Sequence, residues 1–138
     1  MIRPIIATLL LFCAATPAFS QAAPAKKSTI TAVTPTPDDR ARQWLVLVDD
    51  KNYAQSWSEA AKAFQTREKT DAWAKQAGDK RTPLGAVASR GLKSIDLSRN
   101  TTAVIRYDTV FAHKAAAVET VTLAFENGGW SVTDYSVE

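Results

Sequence analysis

The chain has 138 residues, 22% of them charged, and a formal net charge of +3. That length leaves room for no more than one ordinary domain. The basic residues Arg67, Lys69, Lys80, Arg81, Arg90, Lys93 and Arg99 are scattered along it, so they read as solvated surface charges and exclude the clustered Lys and Arg of a nucleic-acid interface.

Met1-Ile2-Arg3-Pro4 is a short basic start, and Ile5–Ala15 is a run of apolar or small residues. Ala18-Phe19-Ser20 places small residues at the two positions a signal peptidase reads. Residues 1–20 are therefore expected to be a secretory signal peptide cut after Ser20, with Ala23 as the alternative site, and the mature protein to be periplasmic or secreted. The run falls short of the about 20 apolar residues that a membrane span needs. Phe12 is too large for the position before a lipidated cysteine, so a lipid anchor at Cys13 is not expected. Cleavage removes Arg3, lowering the formal charge from +3 to +2, and also removes the only cysteine. The mature chain then has no thiol for disulfides, redox chemistry or nucleophilic attack.

Residues 21–37 read QAAPAKKSTITAVTPTP, which offers little to bury and is expected to be a flexible tether. A single α+β domain is expected over residues 38–138. Its first helix starts at Thr36-Pro37-Asp38-Asp39: a hydroxyl to cap, a proline at the first position, and carboxylates at the positive helix end. Ala41, Trp44, Leu45 and Val48 follow at helical spacing. Tyr53, Trp57, Ala60, Ala61 and Phe64 make a second stripe of the same period. A third helix, beginning after Thr70 and carrying Trp73 and Ala77, is expected to end at Gly78.

From Pro83 the periodicity changes to strands. Segment 85–97 contains Gly91, which suggests a bulge or bend. Over Thr101–Phe111, Ile105, Tyr107 and Phe111 share one face, while Arg106 and Asp108 share the other as a candidate surface ion pair. Val118–Phe125 aligns Val121, Leu123 and Phe125, and Trp130–Val137 is the last strand. Asn127-Gly128 supplies the two positive φ angles of a type I′ hairpin. The register it implies sets Phe125 opposite Trp130, Leu123 opposite Val132 and Val121 opposite Asp134. Tyr135 then falls on the polar outer face with Thr120, Thr122, Ser131 and Thr133. One apolar and one wet face describe an antiparallel sheet covered on one side by helices.

Several strings resemble the family known as domain of unknown function 4019: Trp44-Leu45-Val46-Leu47-Val48-Asp49, Tyr53-Ala54-Gln55-Ser56-Trp57, Arg81-Thr82-Pro83-Leu84-Gly85, Ser89-Arg90-Gly91-Leu92, Tyr107-Asp108-Thr109-Val110-Phe111-Ala112, residues 114–123 and Trp130-Ser131-Val132. The resemblance spans nearly the whole expected domain. It implies a small exported bacterial protein and assigns no activity. About three N-terminal helices on one face of a curved four-stranded antiparallel sheet is also similar to the cystatin-like and nuclear-transport-factor-2-like (NTF2-like) architecture, which often leaves a conical pocket. Fold analogy licenses no activity.

Little catalytic chemistry is available. A structural zinc site takes four Cys or His ligands, and the mature chain has His113 alone. Asp38-Asp39 and Asp49-Asp50 are explained by helix capping better than by calcium. No metal or cofactor is expected. His113 falls in a turn, and nothing in the sequence joins it to Ser56 or Ser89 as a nucleophile. The sharpest candidate is Asp134: facing inward beside Trp130 and Val132, it would have a raised proton affinity and could act as a base or ligand anchor with the Tyr107 or Tyr53 hydroxyl. The competing reading places Asp134 at the sheet's end, paired with a Lys or Arg. Trp57 and Tyr107 are candidate ligand contacts, although aromatics at such spacing are usually core. The expected function is a non-catalytic envelope module binding a protein, peptide or small apolar ligand. The alternative is a small pocket enzyme, of isomerase or hydrolase type, built on Asp134 and a tyrosine.

Overall fold

The computed structural model describes residues 33–138. The expected signal peptide over residues 1–20, Cys13 and most of the expected tether over residues 21–37 lie outside the described residues. Thr36 caps helix α1 (Pro37–Asp49) in a reciprocal capping box, its hydroxyl accepting from the Asp39 amide while the Asp39 carboxylate accepts from the Thr36 amide. Such a cap satisfies donors that a helix start otherwise leaves open.

The second apolar stripe is two helices rather than one. α2 (Tyr53–Ser58) stops, and α3 (Lys62–Arg67) begins after Ala61 adopts an extended conformation. The break has a tertiary cause: the Ala61 amide donates to the Val132 carbonyl on the last strand. The Gln65 side-chain amide then donates to the carbonyls of Trp57, Ser58 and Ala60 around the break. α4 (Thr70–Arg81) runs through Gly78 instead of ending there. A Cβ at Gly78 would sit 3.8 Å from the Tyr53 ring, so the glycine lies where α4 packs closely on α2. With four helices among the described residues where about three were expected, the expected α+β architecture holds, and a 3-10 turn (Thr82–Leu84) leads into the sheet.

The sheet is an antiparallel meander in the order β1 (Val87–Ser98), β2 (Thr102–Phe111), β3 (Lys114–Glu126), β4 (Gly129–Val137). At the β3–β4 turn, Asn127 and Gly128 both have positive φ, and Phe125 pairs with Trp130 and Leu123 with Val132 as the turn predicts. Beyond that point a bulge intervenes. Thr133 is passed over, so Thr122 pairs with Asp134 and Val121 with Tyr135. An extra residue exchanges the faces of everything that follows it. The bulge is held by the Thr133 hydroxyl, which donates to the Thr122 carbonyl, and by Arg67, which donates to the Thr133 carbonyl.

α1 packs on β2, β3 and β4, and α3 packs on β4. The core joins Ala41, Trp44, Leu45 and Val48 of α1 to Phe64, Trp73 and Ala77, and below them to Ile105, Tyr107, Val121, Leu123 and Val132. β1 extends past this cover. Its bulges fall at Val87/Ser89 and Leu92/Ser94, on either side of Gly91, and Leu92, Ile95 and Leu97 stay exposed although they pair with buried Tyr107, Ile105 and Ala103. The expected Arg106–Asp108 pair does not form: Arg106 bonds Asp96 and Lys93 bonds Asp108, each pair reaching across the β1–β2 ladder. No helix among the described residues is long and apolar enough to cross a membrane.

Candidate functional site

One end of the interior, between helices and sheet, is charged. Glu119 of β3 is wholly buried and Arg81, the last residue of α4, is 6% exposed. Glu119 accepts from Arg81 Nη1 at 2.5 Å, from Arg90 Nε at 2.7 Å, from the Thr109 hydroxyl at 2.7 Å and from the Tyr135 hydroxyl at 2.7 Å. Asp49, the last residue of α1, accepts from Arg81 and, at 2.8 and 3.0 Å, from both terminal nitrogens of Arg90. Arg81 also donates to the Tyr135 hydroxyl at 2.9 Å and lies over the Phe111 ring. Two cations and two anions thus close a ring that ties α1 and α4 to β1 and β3, and the Thr109 and Tyr135 hydroxyls on Glu119 extend it to β2 and β4.

The electrostatics follow from that closure. Burial works against the charge on each arginine, but Tyr135, Glu119 and Asp49 around Arg81, and Asp49 and Glu119 around Arg90, outweigh it and hold both guanidiniums above their ordinary pKa. Burial pushes the Tyr135 hydroxyl far above the usual tyrosine range, and the Glu119 charge pushes it further. No buried side-chain polar atom among the described residues lacks a hydrogen-bond partner. A ring this well satisfied has no carboxylate free to serve as a base.

Beside the ring lies a cleft of about 530 Å³, bounded by the α1–α2 turn, the end of α4 and the entry to β1. Asp49 and Arg81 form its charged wall, Asp50, Lys51 and Tyr53 one side, and Thr82, Gly85, Ala86 and Val87 the other. Gly85 has a φ of 77°, and a Cβ there would come within 3.0 Å of Ala112 and 3.1 Å of His113; glycine therefore lets the chain turn into β1 at this point. Burial raises the pKa of the Tyr53 hydroxyl, with opposing influences from Arg81, which lowers it, and Asp49, which raises it.

The residues singled out from sequence do not converge. Asp134 faces solvent and pairs with Arg67 at 3.0 Å, so the inward-facing carboxylate is corrected by the β4 bulge. Tyr135 takes the inward place instead and is not on the outer face. Tyr107 is buried, its hydroxyl donating to Asp38 at 2.6 Å under the Arg42 guanidinium; burial first, and Asp38 second, raise its pKa. Trp57 is half-buried and donates to the Glu68 carbonyl at 2.6 Å. Ser56 accepts from the Trp73 indole and donates to the Tyr53 carbonyl. His113 is exposed in the β2–β3 turn, and Ser89 is exposed on β1. Among the described residues no group of His, Cys, Asp and Glu is arranged to hold a metal ion.

Sequence reasoning missed Asp49, Arg81, Arg90, Glu119 and Thr109. Asp49 had been assigned to capping, and the two arginines to the solvated surface. A signal was present in the pattern. Glu119 has the strand parity of Val121 and Leu123, Thr109 that of Tyr107 and Phe111, and Arg81 follows Trp73 and Ala77 at four-residue steps.

A family described as "Protein of unknown function (DUF4019)" matches residues 40–135, from α1 through the ring to Tyr135. The chain belongs to the DUF4019 family. Among curated proteins no relative matches it. Among solved structures this DUF4019 protein is similar to a Campylobacter jejuni protein provisionally named an NTF2-like transpeptidase, at 20% identity and a TM-score of 0.51, over 71% of this chain and 97% of that one. An NTF-2-like protein of unknown function from Shewanella oneidensis aligns at 17% identity and a TM-score of 0.47, over 74% and 98% of the two chains. At 20% identity the likeness to the Campylobacter jejuni protein establishes an NTF2-like fold alone.

Proposed function

We propose that this DUF4019 protein is an exported, non-catalytic binding module of the bacterial envelope, holding a small ligand or the end of a peptide in the cleft beside the ring. One observation carries the reading. The interior site, where a pocket enzyme would keep a free acid or base, is filled by Arg81, Arg90, Asp49 and Glu119, each engaged by the others. The remaining cleft is within the range of small-molecule sites, about 300–1,000 Å³, and mixes charged walls with apolar surface from Val48 and Val87. The enzyme alternative finds no support in the geometry, because Asp134 and Tyr107 are engaged elsewhere, with Arg67 and Asp38. The signal-like start at Met1–Ser20 supports export.

Native mass spectrometry of the protein recovered from a periplasmic extract tests both parts. The expected species lacks residues 1–20 and carries a non-covalent ligand that an Ala86→Trp variant, which fills the cleft from its exposed side, does not retain. A full-length mass confined to the cytoplasm would contradict export. A bound ligand unaffected by Ala86→Trp would contradict the cleft.

A further inference from the structure

The wall of the cleft is internally neutral. Asp49 accepts three bonds from Arg81 and Arg90, and the positive charge of Arg81 is met by Asp49 and Glu119. What the cleft offers a ligand is therefore set by its rim, and there two consecutive residues differ from the rest. Asp50 and Lys51 are exposed, both line the cleft, and neither joins an ion pair among the described residues. Elsewhere on the domain some exposed charges are paired, such as Arg67 with Asp134 and Lys75 with Asp79, and others, such as Lys69, Asp71 and Lys80, join no ion pair among the described residues, so what sets Asp50 and Lys51 apart is their place side by side at the mouth. Asp50 caps the C-terminus of α1 and Lys51 follows it with a left-handed φ of 59°. That tight turn keeps one unpaired negative and one unpaired positive group a residue apart at the mouth.

The surroundings sort the two signs. The carbonyl ends of α1 and α4 both meet the cleft and carry partial negative charge, which favours an ammonium beside Asp50. The Tyr53 and Thr82 hydroxyls add donors to that of Lys51, which favours a carboxylate. A simple anion would meet Asp50 and two helix C-termini, and a simple cation would meet Lys51. A molecule with both charges close together satisfies the rim without leaving either sign unmatched.

We infer that the cleft binds a free α-amino acid as its zwitterion, the ammonium at Asp50 and the carboxylate at Lys51 and Tyr53, with the side chain directed along Val87. This rests on the binding-module reading above and specifies the ligand class. Isothermal titration of the mature protein with L-leucine, N-acetyl-L-leucine and L-leucinamide tests it, because each derivative deletes one of the two charges. L-leucine is expected to bind saturably, and each derivative about tenfold more weakly or worse, the loss expected for one charged hydrogen bond. Asp50→Asn and Lys51→Gln should each weaken L-leucine by about the same factor, with unchanged melting temperatures because both positions are exposed. Ala86→Trp should abolish binding. Derivatives that bind as tightly as L-leucine, or an L-leucine affinity indifferent to Asp50→Asn and Lys51→Gln, would overturn the zwitterion assignment. If no amino acid binds but the periplasmic protein still carries a ligand that Ala86→Trp displaces, the ligand class fails and the binding module stands. If neither binds, both fail.

Discussion

The two ends of the interior are held by opposite means. At one, Trp44, Phe64, Trp73 and Tyr135 meet with ring centroids 5.0–6.5 Å apart, mostly edge to face or tilted. At the other, Arg81, Arg90, Asp49 and Glu119 meet through hydrogen bonds. Tyr135 belongs to both, its ring in the aromatic cluster and its hydroxyl in the charge ring. Apolar packing is non-directional and tolerates a partner of similar volume. A buried charge ring has no such tolerance, since removing one member leaves the others desolvated and unpaired. The cluster gives the domain cohesion, and the ring fixes how α1 and α4 sit over the strands.

The contrast can be broken by substitution. Glu119→Met keeps bulk but leaves two buried guanidiniums to share the single carboxylate of Asp49, and it should cost about 3–5 kcal/mol in urea denaturation. Alkaline pH attacks the same end through Tyr135. All three tyrosines have raised pKa values in the folded protein. Stability should therefore be intact below the ordinary tyrosine pKa of 10.0 and fall as pH rises above it, by up to about 1.4 kcal/mol per pH unit for each of the buried Tyr107 and Tyr135. Tyrosinate absorbance should accordingly appear together with unfolding; a full tyrosinate signal at pH values where circular dichroism is still native would refute the buried placement. At the aromatic end, Phe64→Met should cost under about 1.5 kcal/mol. The smallest effect belongs outside both ends: Asp134→Asn, which removes an exposed pair with Arg67, should change stability by under about 1 kcal/mol. An Asp134→Asn loss as large as that of Glu119→Met would mean that the ring is not the special feature.

The two ends were also unequally legible in the sequence. The aromatic end was read from Trp44, Leu45 and Val48 at helical spacing, because apolar periodicity is a local signal, whereas Phe125, placed by its strand parity on the same apolar face as Val121 and Leu123, is exposed and meets only Trp130. The charge ring joins residues 32 and 38 positions apart at Arg81 and 29 and 41 apart at Arg90, and a buried charge looks like a surface charge until its partner is known. Glu119 was the readable exception, a carboxylate at inward strand parity. The β4 bulge was invisible for a different reason. It is set by Arg67 and the α2–α3 break reaching the strand from another part of the chain, and nothing within Trp130–Val137 announces it. Both Asp134 and Tyr135 were assigned the wrong face in consequence.

The most direct test of the ring is a double-mutant cycle on Arg81→Met and Glu119→Met, read by urea denaturation. If the ring is a buried, mutually satisfied unit, each single change destabilises strongly, whereas the double variant, with Arg90 still held by Asp49, recovers a coupling energy of about 1–3 kcal/mol. Additive losses, with no recovery in the double variant, would contradict a paired Arg81 and Glu119 inside the domain.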